Sequence, residues 1–293
     1  MKFGLALRNT GATSSREAIE AGAEAAERLG WETVWTTDHV LVPHATEADY
    51  GRTFEALATL AWVGAKHPRI KLGSSVIVVP QRNAVLLAKE LATLDVLSEG
   101  RLVVGVGVGW NEIEFANLGA ADRFHRRGAY LDETIRLWRH LWSGSSEPFH
   151  GIFHTFDDYV FGPVPVQGKD VPIVVGGVSA AAFRRAGTLG NGYQATRTGP
   201  DDMARAISAV REAAEAARRP MPALSARIAV TTGSNPGGGY ALAGDPPEML
   251  AQIRSFADLG VEHLALVFEA ADPSALVRAV ERFDREVVRA DGA

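Results

Sequence analysis

The stretch Leu87-Ala88-Lys89-Glu90-Leu91-Ala92-Thr93-Leu94-Asp95, continuing through Ser98-Glu99-Gly100-Arg101 into Leu102-Val103-Val104-Gly105-Val106, holds the fold in miniature. Leu87, Leu91 and Leu94 recur at helical spacing and mark one inward face. A short polar turn ends the helix. An apolar, β-branched run then reads as a strand over Leu102–Val106. Helix, turn and buried strand in that order form one half of a repeating unit.

The unit recurs in both directions. Upstream, Lys2–Leu7 is a first strand. Ser14 and Glu17, three apart, predict a capping box for a helix that runs to Leu29, before Gly30. Thr33–Thr37 is a second strand, Phe54–Lys66 a second helix, and Ile70–Val79 a long third strand. Downstream, Leu131, Ile135, Trp138 and Leu141 give a fourth helix. Pro172–Val175, Tyr193–Thr196, Ser225–Thr231 and His263–Phe268 complete the strands. Helices follow them at Ala180–Leu189, about Asp201 to Ala217, from Asp245-Pro246-Pro247-Glu248 to Gly260, and after Asp272-Pro273.

Eight strand-then-helix units predict an α/β protein with a closed (β/α)8 TIM barrel, one domain over 1–293. An open doubly wound sheet would want G-x-G-x-x-G after the first strand. That turn reads Arg8-Asn9-Thr10-Gly11-Ala12-Thr13. Residues 143–170 break the rhythm, being rich in Gly, Pro, Phe and Asp. They are expected to form an insertion after the fourth helix, on the barrel rim.

Composition narrows the chemistry. The chain has no cysteine, which excludes disulfides, thiolate metal sites and thiol nucleophiles. Its formal net charge is −5 and no basic stripe appears, so nucleic acid is not an expected partner. No run of about 18 apolar residues exists, so no membrane span is expected. The N-terminal stretch reads as a strand and not as a signal segment, which makes the cytoplasm the default location.

In a barrel the active site forms at the C-terminal ends of the strands. The second strand ends at Asp38-His39, an acid or cofactor contact, or more plainly a capping Asp beside an exposed His. The third carries Ser74 and Ser75, small enough for a planar ligand to approach the backbone, or simply for a tight interior. The fourth runs Gly105-Val106-Gly107-Val108-Gly109-Trp110-Asn111. Its glycines strip one face, which makes sense if something flat occupies the space. The fifth runs through Gly176-Gly177-Val178-Ser179-Ala180 into a helix, a turn suited to phosphate, with Ser179 as ligand or as cap. His150 and His154 have a spacing that metal ligands use, but no third ligand is evident and no metal is expected. No G-x-S-x-G elbow exists.

In these residues the sequence resembles the luciferase-like monooxygenase superfamily, in particular its F420-dependent oxidoreductase branch. The signals are Val34-Trp35 to Asp38-His39, Leu72-Gly73-Ser74-Ser75-Val76, and Leu87–Asp95 through Gly100-Arg101-Leu102 to Trp110. Phe161-Gly162-Pro163, Val175-Gly176-Gly177 and Arg184-Arg185-Ala186 follow in order. The resemblance implies a bacterial-luciferase-like barrel with the cofactor across the strand ends, and a non-proline cis peptide at Ser75–Val76 against its ring. It implies contacts from Asp38, His39, Ser75, Val76, Val78, Gly107, Trp110 and Asn111. It places the phosphate at Gly176, Gly177, Ser179 and Ala180. A catalytic Glu of a sugar-phosphate dehydrogenase of the superfamily is Trp110 here, which speaks against the same substrate. Relatives that read Asp-Gly-Trp and Arg-x-Pro are met by Asn191-Gly192-Tyr193 and Arg82-Asn83-Ala84.

The expected activity is hydride transfer between the deazaflavin coenzyme F420 and a small organic substrate, with His39 positioning the ring or donating a proton. The alternative is an FMN-dependent monooxygenase. A third reading is a flavin-binding relative without turnover, which an insertion folded over the site would favour. Specificity is expected around His44–Tyr50, in 143–170 and beyond the sixth and seventh strands. A homodimer is expected from the resemblance and from Trp62 and Trp138, apolar side chains that one barrel need not cover.

Overall fold

The computed structural model describes residues 1–231 and 239–292. Its strands are β1 (Lys2–Ala6), β2 (Thr33–Thr36), β3 (Lys71–Ser74), β4 (Ile77–Val78), β5 (Leu102–Gly107), β6 (Phe149–His150) and β7 (Thr155–Phe156), then β8 (Ile173–Gly176), β9 (Gly192–Thr196), β10 (Ala223–Val230), β11 (Ala241–Leu242) and β12 (His263–Phe268). Parallel pairing runs β1–β2–β3–β5–β8–β9–β10–β12, and β12 returns to β1 with Lys2 opposite His263. The sheet therefore closes on itself with eight staves, as the eight-fold alternation predicts. β3 and β10 stand opposite each other across it. Both faces of each stave are covered, so β2 reads as an uninterrupted buried run, Thr33-Val34-Trp35-Thr36.

Helices form the outer layer: α1 (Arg16–Leu29), α2 (Glu47–Tyr50), α3 (Ala56–Lys66), α4 (Ala84–Leu97), α5 (Glu112–Asn117), α6 (Arg127–Trp142), α7 (Ala180–Leu189), α8 (Pro200–Ala216), α9 (Pro246–Asp258) and α10 (Pro273–Phe283). No helix of the described residues is long and apolar enough to cross a membrane. The Asp245–Glu248 capping box forms with both hydrogen bonds in place. The α1 cap differs from expectation. Ser15, not Ser14, accepts from the Ala18 N–H at 3.0 Å, while the Ser14 hydroxyl donates to the Arg52 carbonyl at 3.0 Å. With the cap one residue later, Glu17 does not stand at the capping-box position.

The third strand is the largest departure from simple alternation. One β-branched run, Ile70–Val79, divides into β3 and β4 around a cis peptide at Ser75–Val76. The cis bond stands where the family resemblance places it. β3 pairs with β5 through Leu72 and Gly73, and pairing resumes at Ile77 opposite Val106. The residues between bulge toward the barrel mouth.

Packing of α6 on α4 is keyed by two tryptophans. Trp138 and Trp142, four residues apart, donate their indole N–H groups to the carbonyls of Ala84 and Ala88, also four apart, at 2.9 and 3.1 Å. Both side chains are fully buried by the chain itself. Trp62 is half-buried, with Arg16 and Lys66 over its ring. Neither tryptophan is therefore an uncovered face, and they lend no support to the expected homodimer.

Residues 143–170 carry the β6–β7 hairpin and pack on α6 and α4. Glu133 of α6 fastens the hairpin: its carboxylate accepts from the N–H groups of Ile152, Phe153 and His154, and from Nδ1 of His154 at 3.0 Å. His150 pairs with Asp157 at 3.0 Å. Further along, the Gln167 side-chain amide donates to Asp95 of α4 at 2.7 Å.

Candidate active site

At the C-terminal ends of the staves lies a cavity of about 370 Å³. The loop after β2 supplies Thr37, Asp38 and His39. The β3–β4 bulge supplies Ser75, Val76 and Val78, and Gly107 to Trp110 with Glu114 come from β5 and α5. Gly176 to Val178, Gln194, Thr196 and Arg227 close the far side. A larger cleft of about 850 Å³ lies to one side, between the ends of β10 and β12 and helices α9 and α10. It gathers no His and no paired acid and base beyond the Arg282–Glu286 surface pair, so the mouth cavity is the site of interest.

His39 is held on three sides. Its Nδ1 lies 3.0 Å from Oε2 of Glu114, whose Oε1 accepts the Val40 N–H at 2.8 Å. Tyr50 stacks on the imidazole at 4.0 Å between ring centres, and Trp110 approaches at 6.3 Å, near perpendicular. Burial works against a charge on Glu114, but the hydrogen bonds from His39 and Val40 outweigh it and hold the carboxyl below its usual range. A carboxylate on Nδ1 fixes the N–H there and leaves Nε2 with its lone pair, the arrangement of a positioned base.

The floor of the cavity is the β3–β4 bulge. Ser74 donates to the Gly105 carbonyl at 2.8 Å and Ser75 to Oε1 of Gln194 at 2.5 Å. The glycine row on β5 is explained by this bulge. A Cβ on Gly107 would stand 2.5 Å from one methyl of Val76, and one on Gly176 would stand 2.6 Å from the other. The space at Gly107 and Gly176 is filled by Val76, that at Gly105 by the Ser74 carbonyl and that at Gly109 by Val78 and Phe115, not directly by a flat ligand as the sequence suggests. Val76 in turn presents an apolar surface to the cavity.

Asp38 lies against the cavity but is spent on structure. Its Oδ1 accepts from Arg82 at 2.6 Å, and its Oδ2 accepts from Arg82 Nε at 3.2 Å and from the Val78 N–H at 2.9 Å. The side chain is almost wholly buried. It pins the residue that follows the bulge. Arg82 is the matching half of this brace, and its neighbour Asn83 caps α4.

The phosphate-capable turn is built as expected in part. Gly177 stands at φ 134, a conformation that suits glycine. The Tyr193 hydroxyl donates to its carbonyl at 3.0 Å. Ser179 caps α7 by accepting from the Ala182 N–H at 3.3 Å, so its hydroxyl oxygen is already engaged. The Ser179 and Ala180 N–H groups have no partner among the described residues. Three expected contacts, Asn111, Ser179 and Ala180, are not on the cavity wall. Asn111 caps α5 through the Glu114 N–H at 3.3 Å.

Three residues that sequence reasoning passed over, Glu114, Gln194 and Arg227, complete the cavity wall. Glu114 reads as an ordinary first-turn acid of a short helix. Tyr50, at the end of α2, lies in the segment His44–Tyr50 that the sequence singles out. Gln194 and Arg227 are polar at mid-stave, and a charge inside a barrel strand is the signal that would have found Arg227. The insertion 143–170 contributes no residue to the cavity wall.

Comparison with known proteins bears on the family and the fold. A family model described as luciferase-like monooxygenase matches residues 1–237. An F420-dependent glucose-6-phosphate dehydrogenase of Gordonia bronchialis is 32% identical over 252 residues, 84% of this chain and 70% of the relative. Among solved structures, an F420-dependent secondary alcohol dehydrogenase in complex with an F420-acetone adduct superposes with a TM-score of 0.81 at 20% identity, over 98% of both chains. The monooxygenase RslO1 of Streptomyces bottropensis superposes at 0.80 with 22% identity, over 99% of this chain and 100% of that one. At those identities the superpositions speak to the fold.

Proposed function

The chain belongs to the luciferase-like monooxygenase family, and on that footing we propose that it is an F420-dependent oxidoreductase acting on a small organic substrate. The observation that carries this reading is the His39–Glu114 pair beside a cavity floored by Val76. Kinship at 32% identity to an F420-dependent dehydrogenase supports the choice of cofactor.

The residues present fit such a group. Val76 offers an apolar platform for a planar ring. Gly176 and Gly177 let the backbone approach a phosphate, and the Ser179 and Ala180 N–H groups at the start of α7 lack partners. When bound, the deazaflavin supplies a carbon that accepts or donates hydride. The protein supplies the rest. Nε2 of His39 takes a proton from, or returns it to, a substrate hydroxyl, while Glu114 holds the tautomer. Trp110, Val40, Leu41 and Ile113, each more than half exposed at the mouth, favour a substrate with an apolar body. The insertion is not folded over the cavity, which supports turnover over a binding-only role.

The test is a titration of the purified protein with F420 and with FMN, followed by single-turnover reduction of the bound cofactor. Tight F420 binding with weak FMN binding is expected. Tight FMN binding with no F420 binding would move the chain to the flavin monooxygenases.

A further inference from the structure

We propose that Arg227 is the counter-ion for the negative charge that the reduced cofactor brings into the barrel. The proposal rests on the F420 reading above and adds to it a residue that favours one redox state.

Arg227 projects from the middle of β10 and crosses the barrel to the opposite stave. Its Nη1 donates to the carbonyl of Ser75, in the cis peptide itself, with the Ser75 hydroxyl at 3.5 Å, and its Nη2 donates to the Thr37 hydroxyl at 2.9 Å. All three acceptors are neutral, and Nε–H has no partner among the described residues. The two carboxylates that line the cavity are committed elsewhere, Asp38 to Arg82 and Glu114 to His39. No described carboxylate pairs with Arg227, and residues 232–238 contain no Asp or Glu. A guanidinium in such a place is strongly disfavoured unless something compensates it. Gln194 deepens the imbalance. Its Oε1 is taken by Ser75, while its Nε2 is buried without a partner. The floor has donors in excess of acceptors and a positive charge without its complement.

A planar group with delocalised negative charge is the match, since the guanidinium fork suits planar acceptors. Two sources offer that chemistry, a reduced deazaflavin ring and a substrate carboxylate. The ring is favoured by position. Arg227 is tied to the residue before Val76, on the floor, whereas the mouth is apolar. Charge balance gives the role. A hydride delivers two electrons and one proton, so the accepting ring gains one negative charge. Arg227 holds that charge, and no further proton is needed to quench it.

The experiment compares wild type, Arg227→Met and Arg227→Lys in anaerobic titrations with oxidised and with reduced F420. Arg227→Met should weaken the reduced form about 10- to 100-fold more than the oxidised form, the scale of a charge-assisted hydrogen bond. Arg227→Lys should recover most of that difference. In the wild type alone, the absorbance of bound reduced cofactor should remain that of the deprotonated ring at pH values where the free cofactor is protonated. Equal losses for both redox states, or a bound spectrum that titrates like the free one, would overturn the proposal. So would an unchanged redox preference accompanied by lost competition from benzoate, which would assign the charge to the substrate. Should Arg227→Met fail to fold, the lysine variant and the wild-type spectrum decide. Failure of the wild type to bind oxidised F420 would overturn the cofactor reading itself, and it is seen before any variant is made.

Discussion

Nδ1 of His39 and Oε2 of Glu114 lie 3.0 Å apart although 75 residues separate them in the chain. The contact ties the end of β2 to the start of α5 and decides which imidazole nitrogen faces the cavity. Glu114→Gln retains the shape but lets the amide donate, which favours the opposite tautomer. Single-turnover hydride transfer is expected to slow by about 10²-fold or more. Cofactor affinity should change little. His39→Ala should behave alike. Weakened binding with intact single-turnover rates would reduce His39 to a packing residue.

Asp38 gives a sharp discrimination between a brace and a ligand. Asp38→Asn leaves Arg82 with Glu55, at 2.8 Å, as its ion-pair partner among the described residues. Breaking a buried pair costs about 3 kcal/mol, or roughly 5–10 °C in the melting temperature. Thermal unfolding monitored by circular dichroism should show that loss, and F420 affinity of the folded protein should be nearly unchanged. A stable variant with poor F420 affinity would restore Asp38 as a direct cofactor contact.

Gly107→Ala sets a methyl 2.5 Å from Val76 and should push the bulge into the cavity. Overpacking of this kind costs about 1–3 kcal/mol. F420 affinity should fall at least tenfold, by isothermal titration. The double variant Gly107→Ala/Val76→Ala should regain much of it, because the second change removes the colliding methyls. Independent, additive losses would show that the two positions do not meet.

Acid should loosen the anchorage of the hairpin. Burial opposes the Glu133 charge, but the His154 side chain and the amides of Phe153, Ile152 and His154 outweigh it and hold the carboxyl below its usual range. A carboxyl depressed in the folded state adds stability that is present above the unfolded value of about 4.3 and fades as pH falls through the folded one. Glu133→Gln should therefore be less stable than wild type at pH 7, by about 1–3 kcal/mol. That gap should narrow between pH 5 and 3 in denaturant titrations. A gap independent of pH would mean that the charge contributes nothing.

Much of the barrel was legible because its signals are local. Helical spacing, caps such as Asp245 and Asp272, and strands such as His263–Phe268 depend on neighbours in sequence. The floor was legible only through family resemblance, since periodicity reads Ile70–Val79 as one continuous strand. The Glu114 and Arg227 contacts were not legible from the chain alone. Each joins distant staves, and nothing near Glu114 in sequence announces that its partner is His39. The glycine row showed that space was being made without showing that Ser74, Val76 and Val78 take it. Trp138 misled because a large apolar side chain on a helix reads the same whether its cover is α4 or a second protein.

Glu133 gathering three successive amides has a practical meaning. The hairpin at Phe149–Phe156 is riveted to α6. A fluorophore or an affinity handle attached near its outward tip would ride on a rigid mount.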